Sequence, residues 1–370
     1  MKLRFEPIHR ICASAIDDGT VPGLVLLVVA SGEVVFHEAF GARQLIPRKL
    51  PAFRDTVYDI ASITKAVATS FLAMREVAAG RLALDAPAVE LLPELAGSDD
   101  RAHITVRHLL CHASGLPAHR PFWRQAAAAP SERWAVSQLA AREPLDRPPG
   151  VRAVYSDLGF ILLGWLLERL TRSRLDVQFA TSVSGPLALT STMFMNLVDD
   201  PAARARTLSE RSIAATQHCS ERRRVVIGEV DDLNAMAMGG VAGHAGLFST
   251  AADLSAIAAS LVRSWRGDDA GALVPRDVVR TFWTPSGVAE STWRLGWDGP
   301  AARGSQAGTR FPRAAVGHLG FTGCSLWIDP ERETWIVTLS NRVHPSVPTD
   351  DRFRRFRPAL HDAVSEALGY

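Results

Sequence analysis

The stretch "LVLLVVASGEVVFHEAFG", residues 24–41, predicts a β-hairpin near the amino terminus. Two runs rich in β-branched and aromatic side chains flank the turn residues Ser31 and Gly32. A second stretch, "CSLWIDPERETWIVTLSN" at residues 324–341, predicts two more strands around a turn at residues 330–332. Because strands at both chain ends enclose a long middle section, we expect one sheet assembled from the two ends of the chain.

The middle section, residues 80–234, has a different pattern, in which helical segments alternate with prolines and loops. Its clearest helical segments are "TVRHLLCHASG" (105–115), "SERWAVSQLAAR" (131–142) and "SDLGFILLGWLLERLTRS" (156–173). We therefore expect a discontinuous α/β sheet domain, residues 1–79 and 235–370, with a mainly helical domain, residues 80–234, inserted into it.

Three more helices are predicted outside this section. Apolar side chains three or four residues apart predict a first helix containing Ile8 and Cys12. An alanine-rich helix is expected over residues 62–79, ended by Gly80. The spacing of the apolar residues after Pro358 predicts a last helix, with that proline in its first turn.

Composition and charge exclude several classes of protein. The chain has 370 residues and a mass of 40.1 kDa, with 47% hydrophobic and 22% charged residues, which is typical of a globular protein with one or two domains. A net charge of +2 is too small to indicate a nucleic acid or an anionic membrane as partner. The four cysteines form no C-x-x-C pair, so neither a zinc ribbon nor a disulfide framework is predicted. No leader or membrane-spanning segment is recognised, so we expect a cytoplasmic location, or a periplasmic one if an export segment has been removed.

The first candidate for chemistry is "YDIASITKAVATS", residues 58–70, which holds one of only three lysines in the chain. Lys65 follows Ser62 by three residues, so one helical turn would bring the amine within reach of the hydroxyl. Burial among alanines and valines would favour the neutral amine, which is the form that accepts a proton. The pattern is short, and a serine N-cap followed by a surface lysine is the alternative interpretation.

Two further places carry candidate residues. Tyr155 lies between a proline-glycine loop and an amphipathic helix, while His318 and Gly320 begin a strand where glycine would let another backbone approach closely. Taken singly, each has a structural alternative, because a tyrosine is often a packing residue and a histidine often a structural one.

In combination these elements resemble the serine β-lactamases and penicillin-binding DD-peptidases, nearest to the class C β-lactamase and serine esterase branch. The matching motifs are S-x-x-K at residues 62–65, Y-x-N as Tyr155-Ser156-Asp157, and K/H-T-G as His318-Leu319-Gly320. Supporting phrases, in the family's order between about residues 20 and 345, are "GRLALDAPAVELLPEL", "ITVRHLLCHASGL", "AMGGVAGHAGLFSTAADL" and "SLWIDPERETWIVTLSNRVHP".

The resemblance implies a mixed α and β fold, with an antiparallel sheet flanked by helices, an inserted helical domain, and a nucleophile in the cleft between them. Ser62 would form an acyl-enzyme, with Lys65 and Tyr155 sharing the transfer of its proton. The backbone N–H groups of Ser62 and Phe321 would hold the oxyanion, and His318 would line one wall. This chemistry requires no metal and no organic cofactor.

Two departures from the family pattern affect the expected substrate. Asp157 replaces the usual amide, and its charge would favour a protonated lysine and repel anionic substrates. Leu319 replaces a hydroxyl residue that helps the family bind a carboxylate. We therefore expect a serine hydrolase acting on muramyl peptides or small esters in preference to penicillins. A catalytically silent binding or sensor module of the same fold is the alternative.

The remaining motifs are given structural interpretations. His108 and His112 have the spacing of a zinc-binding pair, but no glutamate follows the first of them, so a metal site is not favoured. His244, in the glycine-rich "GGVAGHAG", is expected in a loop near the cleft, with no assigned role. In "RFRRFR", residues 352–357, we expect buried phenylalanines and solvent-exposed arginines. The expected partner is thus a small molecule or peptidoglycan fragment, without nucleic acid or membrane, and the oligomeric state is left open.

Overall fold

The computed structural model describes residues 5–97, 99–126, 134–268 and 270–370. Its central feature is a six-stranded antiparallel sheet with the order β3-β2-β1-β11-β10-β9. In chain order, the strands of this sheet and of two smaller sheets are β1 Gly23–Ala30, β2 Glu33–Gln44, β3 Leu50–Pro51, β4 Tyr58–Asp59, β5 Met193–Phe194, β6 His218–Cys219, β7 Arg224–Val225, β8 Leu247–Ser249, β9 Val316–Leu319, β10 Ser325–Asp329 and β11 Thr334–Ser340. Both predicted hairpins, β1-β2 and β10-β11, are confirmed, and β1 pairs with β11, so the sheet joins the two chain ends.

Helices cover both faces of this sheet. They are α1 Glu6–Asp17, α2 Phe71–Ala78, α3 Asp99–Ala102, α4 Val106–Leu110, α5 Trp123–Ala126, α6 Ala135–Arg142, α7 Asp157–Thr171, α8 Leu175–Phe179, α9 Ala203–Glu210, α10 Leu233–Ala237, α11 Ala251–Arg266, α12 Arg276–Trp283 and α13 Arg352–Ala367. Short 3-10 segments lie at Ala88–Glu90 and Pro93–Gly97, and π-helical segments at Lys65–Ser70 and Ala180–Ser184. No helix among the described residues is long and apolar enough to cross a bilayer.

Strand β1 is apolar along nearly its whole length because it faces two cores. Val25 and Leu27 belong to the large core that includes α2, α7 and α11, whereas Leu24 and Leu26 belong to a smaller core with α1 and α13. Successive side chains of a strand point to opposite faces, so a strand covered on both sides has no polar face.

Between the strands of the central sheet, the chain forms most of the helices and two small sheets, β4-β8-β5 and β6-β7. The segment predicted at residues 131–142 contains α6, and residues 131–133 lie outside the described part. The proposed domain boundaries, after residues 79 and 234, stay a prediction.

The helix predicted over residues 62–79 begins at Ile63, continues as a π-helical segment over Lys65–Ser70, and is α-helical again from Phe71. Gly80 follows its end with a φ of 69°, as predicted for a terminating glycine. Single π-helical turns within α-helices occur frequently at functional sites, where they adjust the direction of a side chain.

Two predictions for the carboxy-terminal segment were wrong. Pro358 lies inside α13 instead of in its first turn, because the helix already begins at Arg352. The phenylalanines of "RFRRFR" are buried as predicted, and three of its arginines are exposed, but Arg357 is only 6% exposed. The helical pattern places Arg357 one turn after Phe353, on the side that faces the core.

Close backbone contact fixes the loop before β8 against α7. A Cβ atom on Gly243 would lie 2.2 Å from the carbonyl oxygen of Phe160, and one on Gly164 would lie 2.9 Å from Gly243. The Thr69 hydroxyl also donates to the Gly243 carbonyl at 2.6 Å. These contacts hold the backbone of the next residue, His244.

Gly164→Ala should lower the free energy of unfolding by about 1–3 kcal/mol, because backbone atoms of Gly243 would have to move. Gly159→Ala, in the same helix, is the matched control. Its added methyl would have its nearest neighbour at 3.6 Å, an ordinary contact distance, so helix propensity should leave stability unchanged or slightly higher. Urea denaturation measures both variants, and equal stabilities would contradict the close approach.

Candidate active site

Ser62 lies on a strained turn between β4 and the π-helical segment. The preceding residue, Ala61, has a φ of 47°, which is costly for a residue with a Cβ atom. The carboxylate of Asp59 accepts the Ala61 N–H at 2.8 Å and so stabilises the turn. Burial raises the pKa of Asp59 to about 7. Backbone strain of this kind persists only where the surrounding structure enforces the conformation. Here the strained turn places the half-buried Ser62 at the wall of a cavity.

Lys65 is fully buried, and its amine contacts three oxygen acceptors. Its Nζ donates to Ser62 Oγ at 3.0 Å, to Asp157 Oδ1 at 2.8 Å and to the backbone carbonyl of His244 at 2.9 Å. These bonds use the three donors of an ammonium group. Burial would lower the pKa of Lys65, but Asp157 and Tyr155 together outweigh burial and raise the pKa above the usual value. The neutral amine expected from burial was therefore wrong for the resting protein. The raised pKa agrees instead with the expected effect of the Asp157 carboxylate, which favours a protonated lysine.

Asp157 is the first residue of α7, where the Ser156 side chain accepts the Gly159 N–H and caps the helix. Its second oxygen, Oδ2, lies 3.5 Å from Nδ1 of His119. Burial would raise the pKa of Asp157, but the Lys65 ammonium and His119 hold it well below its usual range. The hydrogen bond to Asp157 in turn raises the pKa of His119. Asp157 is therefore an ionised carboxylate between the Lys65 ammonium and the His119 ring.

Tyr155 lies in a cluster of rings beside Lys65. Lys65 Nζ is 4.9 Å from the Tyr155 ring centroid, and the ring stacks on Trp293 with centroids 5.4 Å apart. The hydroxyl interacts with both Lys65 and Ser62, while burial raises the pKa of Tyr155 despite the nearby ammonium. The phenol is thus protonated at rest and lies against both members of the serine-lysine pair.

Two buried histidines complete the ring cluster. His112 Nδ1 accepts the Ser156 N–H at 3.1 Å, and the ring centroid lies 4.3 Å from that of Trp293. His318 Nδ1 donates to the carbonyl of Leu319 at 2.8 Å. Burial, followed by the charge of Lys65, lowers the pKa of His318 to about 3 and that of His112 well below its usual value. Both imidazoles are neutral, and His112 holds the backbone between Tyr155 and Asp157.

A backbone contact positions the turn after β9 beside Ser62. A Cβ atom on Gly320 would lie 2.5 Å from the carbonyl oxygen of Ile60, which bears out the predicted close approach. The Thr322 hydroxyl donates to the Asp59 carbonyl at 2.7 Å. Within the described parts of the chain, the backbone N–H groups of Ser62 and Phe321 have no hydrogen-bond acceptor.

The cavity at this site has a volume of about 810 Å³. Seven of the predicted site residues line it: Ser62, Tyr155, Asp157, His318, Leu319, Gly320 and Phe321. The eighth, Lys65, is buried behind Ser62. His244 also lines it, in a loop, with its ring Nε2 hydrogen-bonded to Asp232 at 2.8 Å.

Several residues of the site were not predicted. The segment containing His112 was recognised, but α4 ends at Leu110 and His112 has a φ of 58°, so it does not share a helix face with His108. His119 follows in the same segment. Trp293 belongs to no motif, and only its contacts in the folded chain place it at the site.

Comparisons with known proteins are consistent with this geometry. Residues 8–359 match the sequence family described as Beta-lactamase. The chain is 31% identical to the N-acetylmuramyl-L-alanine amidase of Bacillus subtilis (strain 168), over 88% of this chain and 78% of the relative. It is 30% identical to the "Putative D-alanyl-D-alanine carboxypeptidase" of Escherichia coli (strain K12), over 93% of this chain and 83% of the relative. The solved structure of EstCE1, a hydrolase with promiscuous acyltransferase activity, covers 97% of this chain and 98% of its own, with a TM-score of 0.73 and 21% identity. At that identity the likeness shows the fold alone.

Asp157→Asn should destabilise the protein by roughly 2–4 kcal/mol at pH 7, because it leaves the buried Lys65 ammonium without a counter-charge. The carboxylate of Asp157, with its lowered folded-state pKa, contributes stability that is present above the usual value of 3.8 and is lost as the pH falls further. The difference between wild type and variant should therefore shrink below about pH 4.

Urea denaturation between pH 7 and pH 2 measures this difference. Asp85→Asn is the control, since Asp85 pairs with Arg107 at 2.7 Å on the surface and should contribute less than about 1 kcal/mol. If Asp157→Asn loses no more free energy of unfolding at pH 7 than this control, the ion pair does not stabilise the protein as we expect.

Proposed function

The chain belongs to the beta-lactamase family and is a serine hydrolase, and from this premise we propose that Ser62 is its nucleophile and forms an acyl-enzyme with an amide or ester substrate. The predicted type of fold is confirmed by the family match and the structural likeness. The observation that carries the proposal is the 3.0 Å hydrogen bond between Lys65 Nζ and Ser62 Oγ, with the Tyr155 hydroxyl beside both.

The pKa shifts support an assignment of the reactive protonation state. At rest the amine of Lys65 is an ammonium and Tyr155 is a phenol, so neither can accept the serine proton. The reactive form is the one in which this pair has lost one proton to solvent. As Ser62 Oγ bonds to the substrate carbonyl carbon, its proton passes to the Lys65–Tyr155 pair. Tyr155 then returns a proton to the leaving group, and this acid-base transfer is typically worth about 10²–10⁴ in rate.

The unpartnered N–H groups of Ser62 and Phe321 support an oxyanion hole. Gly320 and Thr322 attach the Phe321 backbone to the segment just before Ser62, so both donors belong to one rigid unit. The oxyanion of the tetrahedral intermediate would accept from both, and each donor typically contributes about 3 kcal/mol. Water would later enter and attack the acyl carbon, passing a proton to the Lys65–Tyr155 pair, which returns a proton to Ser62 Oγ as the bond to the acyl group breaks.

The cavity and the relatives support a proposal for the substrate class. A volume of about 810 Å³ is large enough for a drug-sized molecule or a short peptide. Relatives named as an amidase of muramyl-alanine bonds and as a carboxypeptidase favour a peptidoglycan fragment, and small esters stay the second candidate from the sequence motifs. The cytoplasmic location stays a prediction.

Ser62→Ala should abolish acylation. We expect wild-type protein to gain one covalent adduct from a fluorophosphonate or a fluorescent penicillin, detected by intact mass. The variant should gain none and should lose at least about 10³-fold in kcat/KM on nitrophenyl esters or muramyl peptides. Ser209→Ala, an exposed serine of α9, is the control. Unmodified wild type would support the catalytically silent alternative, and equal turnover by Ser62→Ala would refute Ser62 as the nucleophile.

Asp157→Asn should also shift the pH profile. In wild type, kcat/KM for a neutral ester should increase with pH above neutrality, because the Lys65–Tyr155 pair must lose a proton that Asp157 helps to retain. Without that charge the pKa of Lys65 falls, so the midpoint should move to lower pH. Asp85→Asn, at the surface, should keep the wild-type midpoint. An unchanged or higher midpoint in Asp157→Asn would contradict this proton pathway.

A further inference from the structure

A buried carboxylate precedes the strained turn of the active site. Asp59 of β4 is 2% exposed and lines the cavity, three residues before Ser62. Its oxygens accept two backbone N–H groups, Oδ1 that of Ala61 at 2.8 Å and Oδ2 that of Asp231 at 2.7 Å. Among the described residues, no lysine, arginine or histidine forms an ion pair with it. Buried charges are normally paired, so these two N–H groups take the place of a cation.

The backbone of Asp59 contacts the opposite side of the site. Its carbonyl oxygen accepts the Thr322 hydroxyl at 2.7 Å, one residue after Phe321. Under the proposed function, the oxyanion donors are the N–H groups of Ser62 and Phe321. Asp59 therefore binds the residue before one donor and the residue after the other.

The second carboxylate bond extends this arrangement to Lys65. Asp231 is followed by Asp232, which caps α10 and whose Oδ1 lies 2.8 Å from Nε2 of His244. The backbone carbonyl of His244 accepts Lys65 Nζ at 2.9 Å. Through segment 231–244, the Asp59 carboxylate is therefore connected to an acceptor of the buried ammonium as well as to the nucleophile turn.

The charge of Asp59 decides whether both N–H groups are held. An ionised carboxylate accepts at both oxygens, whereas a protonated carboxyl group presents an O–H donor at one of them. Burial raises the pKa of Asp59 to about 7, assisted by the charges of Asp231 and Asp232 and opposed by the two N–H bonds. The Cys324 thiol, 3.8 Å from the Asp59 carbonyl, is neutral because burial raises its pKa to about 11. Asp59 thus changes charge near neutral pH.

We propose that Asp59 is a positioning residue for the reaction of Ser62, and that its carboxylate form holds the nucleophile turn and segment 231–244 in the reactive arrangement. This inference rests on the proposed function and adds a second proton-dependent control to the same site. Asp59 acts through the backbone of Ala61 and Asp231. Protonation weakens one of these two bonds, so the turn or the segment is no longer held.

The first experiment measures activity in Asp59→Asn, whose amide resembles the protonated acid in shape and in presenting a donor. The measured quantity is the ratio of kcat/KM for wild type to that for the variant on a neutral nitrophenyl ester. We expect a ratio of about tenfold or more at pH 8, because a charged hydrogen bond is lost. The ratio should fall toward one below pH 6, where wild-type Asp59 is itself protonated. The proton that the Lys65–Tyr155 pair must lose affects both proteins and cancels in the ratio.

Stability should change in the opposite direction. Because the folded-state pKa of Asp59 is raised, its contribution to the free energy of unfolding is present below the usual value of 3.8 and is lost as the pH rises through about 7. Asp59→Asn lacks this loss. Relative to wild type, the variant should therefore gain stability between pH 4 and pH 8, where its relative activity falls. Urea denaturation measures this difference, and general damage to the fold would lower both quantities together.

Asp329→Asn is the matched control. Asp329 is also 2% exposed and accepts a backbone N–H, that of Glu331 at 3.1 Å, but it is not among the described residues that line the cavity. This variant should keep the wild-type kcat/KM at each pH. If Asp59→Asn does not fold, NMR of the wild-type backbone amides provides the test. The amide signals of Ala61 and Asp231 should then titrate with one common midpoint near pH 7, since both donate to the same carboxylate.

A ratio of kcat/KM that does not change with pH, an equal loss in Asp329→Asn, or amide signals without a common midpoint would overturn this role of Asp59. Ser62→Ala separates the two proposals. Ester turnover that depends on Ser62 but is the same in Asp59→Asn refutes only the role of Asp59, whereas turnover that survives Ser62→Ala refutes the proposed function.

Discussion

The ion pair between Lys65 and Asp157 is the interaction on which the site depends. A fully buried ammonium needs nearby oxygen atoms, and Lys65 obtains them from three separate parts of the chain. These are the Ser62 turn, the start of α7 and the His244 loop. Because one cation contacts all three segments, its charge state and the position of Ser62 are coupled. The glycine contacts between α7 and the loop keep the third acceptor in place.

Under the proposed function, this ion pair also determines when Ser62 can react. An amide at position 157, as in the family pattern, would solvate the lysine without holding its proton, whereas the carboxylate raises the pKa of Lys65. The chain thus retains the nucleophile and its neighbours but shifts the reactive form toward higher pH.

The sequence could predict the parts of this structure that depend on local pattern. Alternation and turn residues located both hairpins, and the motifs located the residues around Ser62, Tyr155 and Gly320. Predictions failed where distant residues decide the outcome. The local pattern around Lys65 predicted a neutral amine, whereas the carboxylate at Asp157 predicted the ammonium that the raised pKa supports. The burial of Arg357 depends on how α13 packs, which no local pattern shows. Trp293 carries no local signal, because its role consists only of ring contacts in the folded chain.

The most direct measurement is the titration of Lys65 by NMR, with ¹⁵N at the lysine side-chain amines. The chain has only three lysines, so substitution of Lys65 by arginine assigns its signal. In wild type the signal should stay that of an ammonium up to pH values above the usual 10.5, and in Asp157→Asn it should titrate at lower pH. A neutral Lys65 amine in wild type at pH 7 would contradict the control of the nucleophile by Asp157.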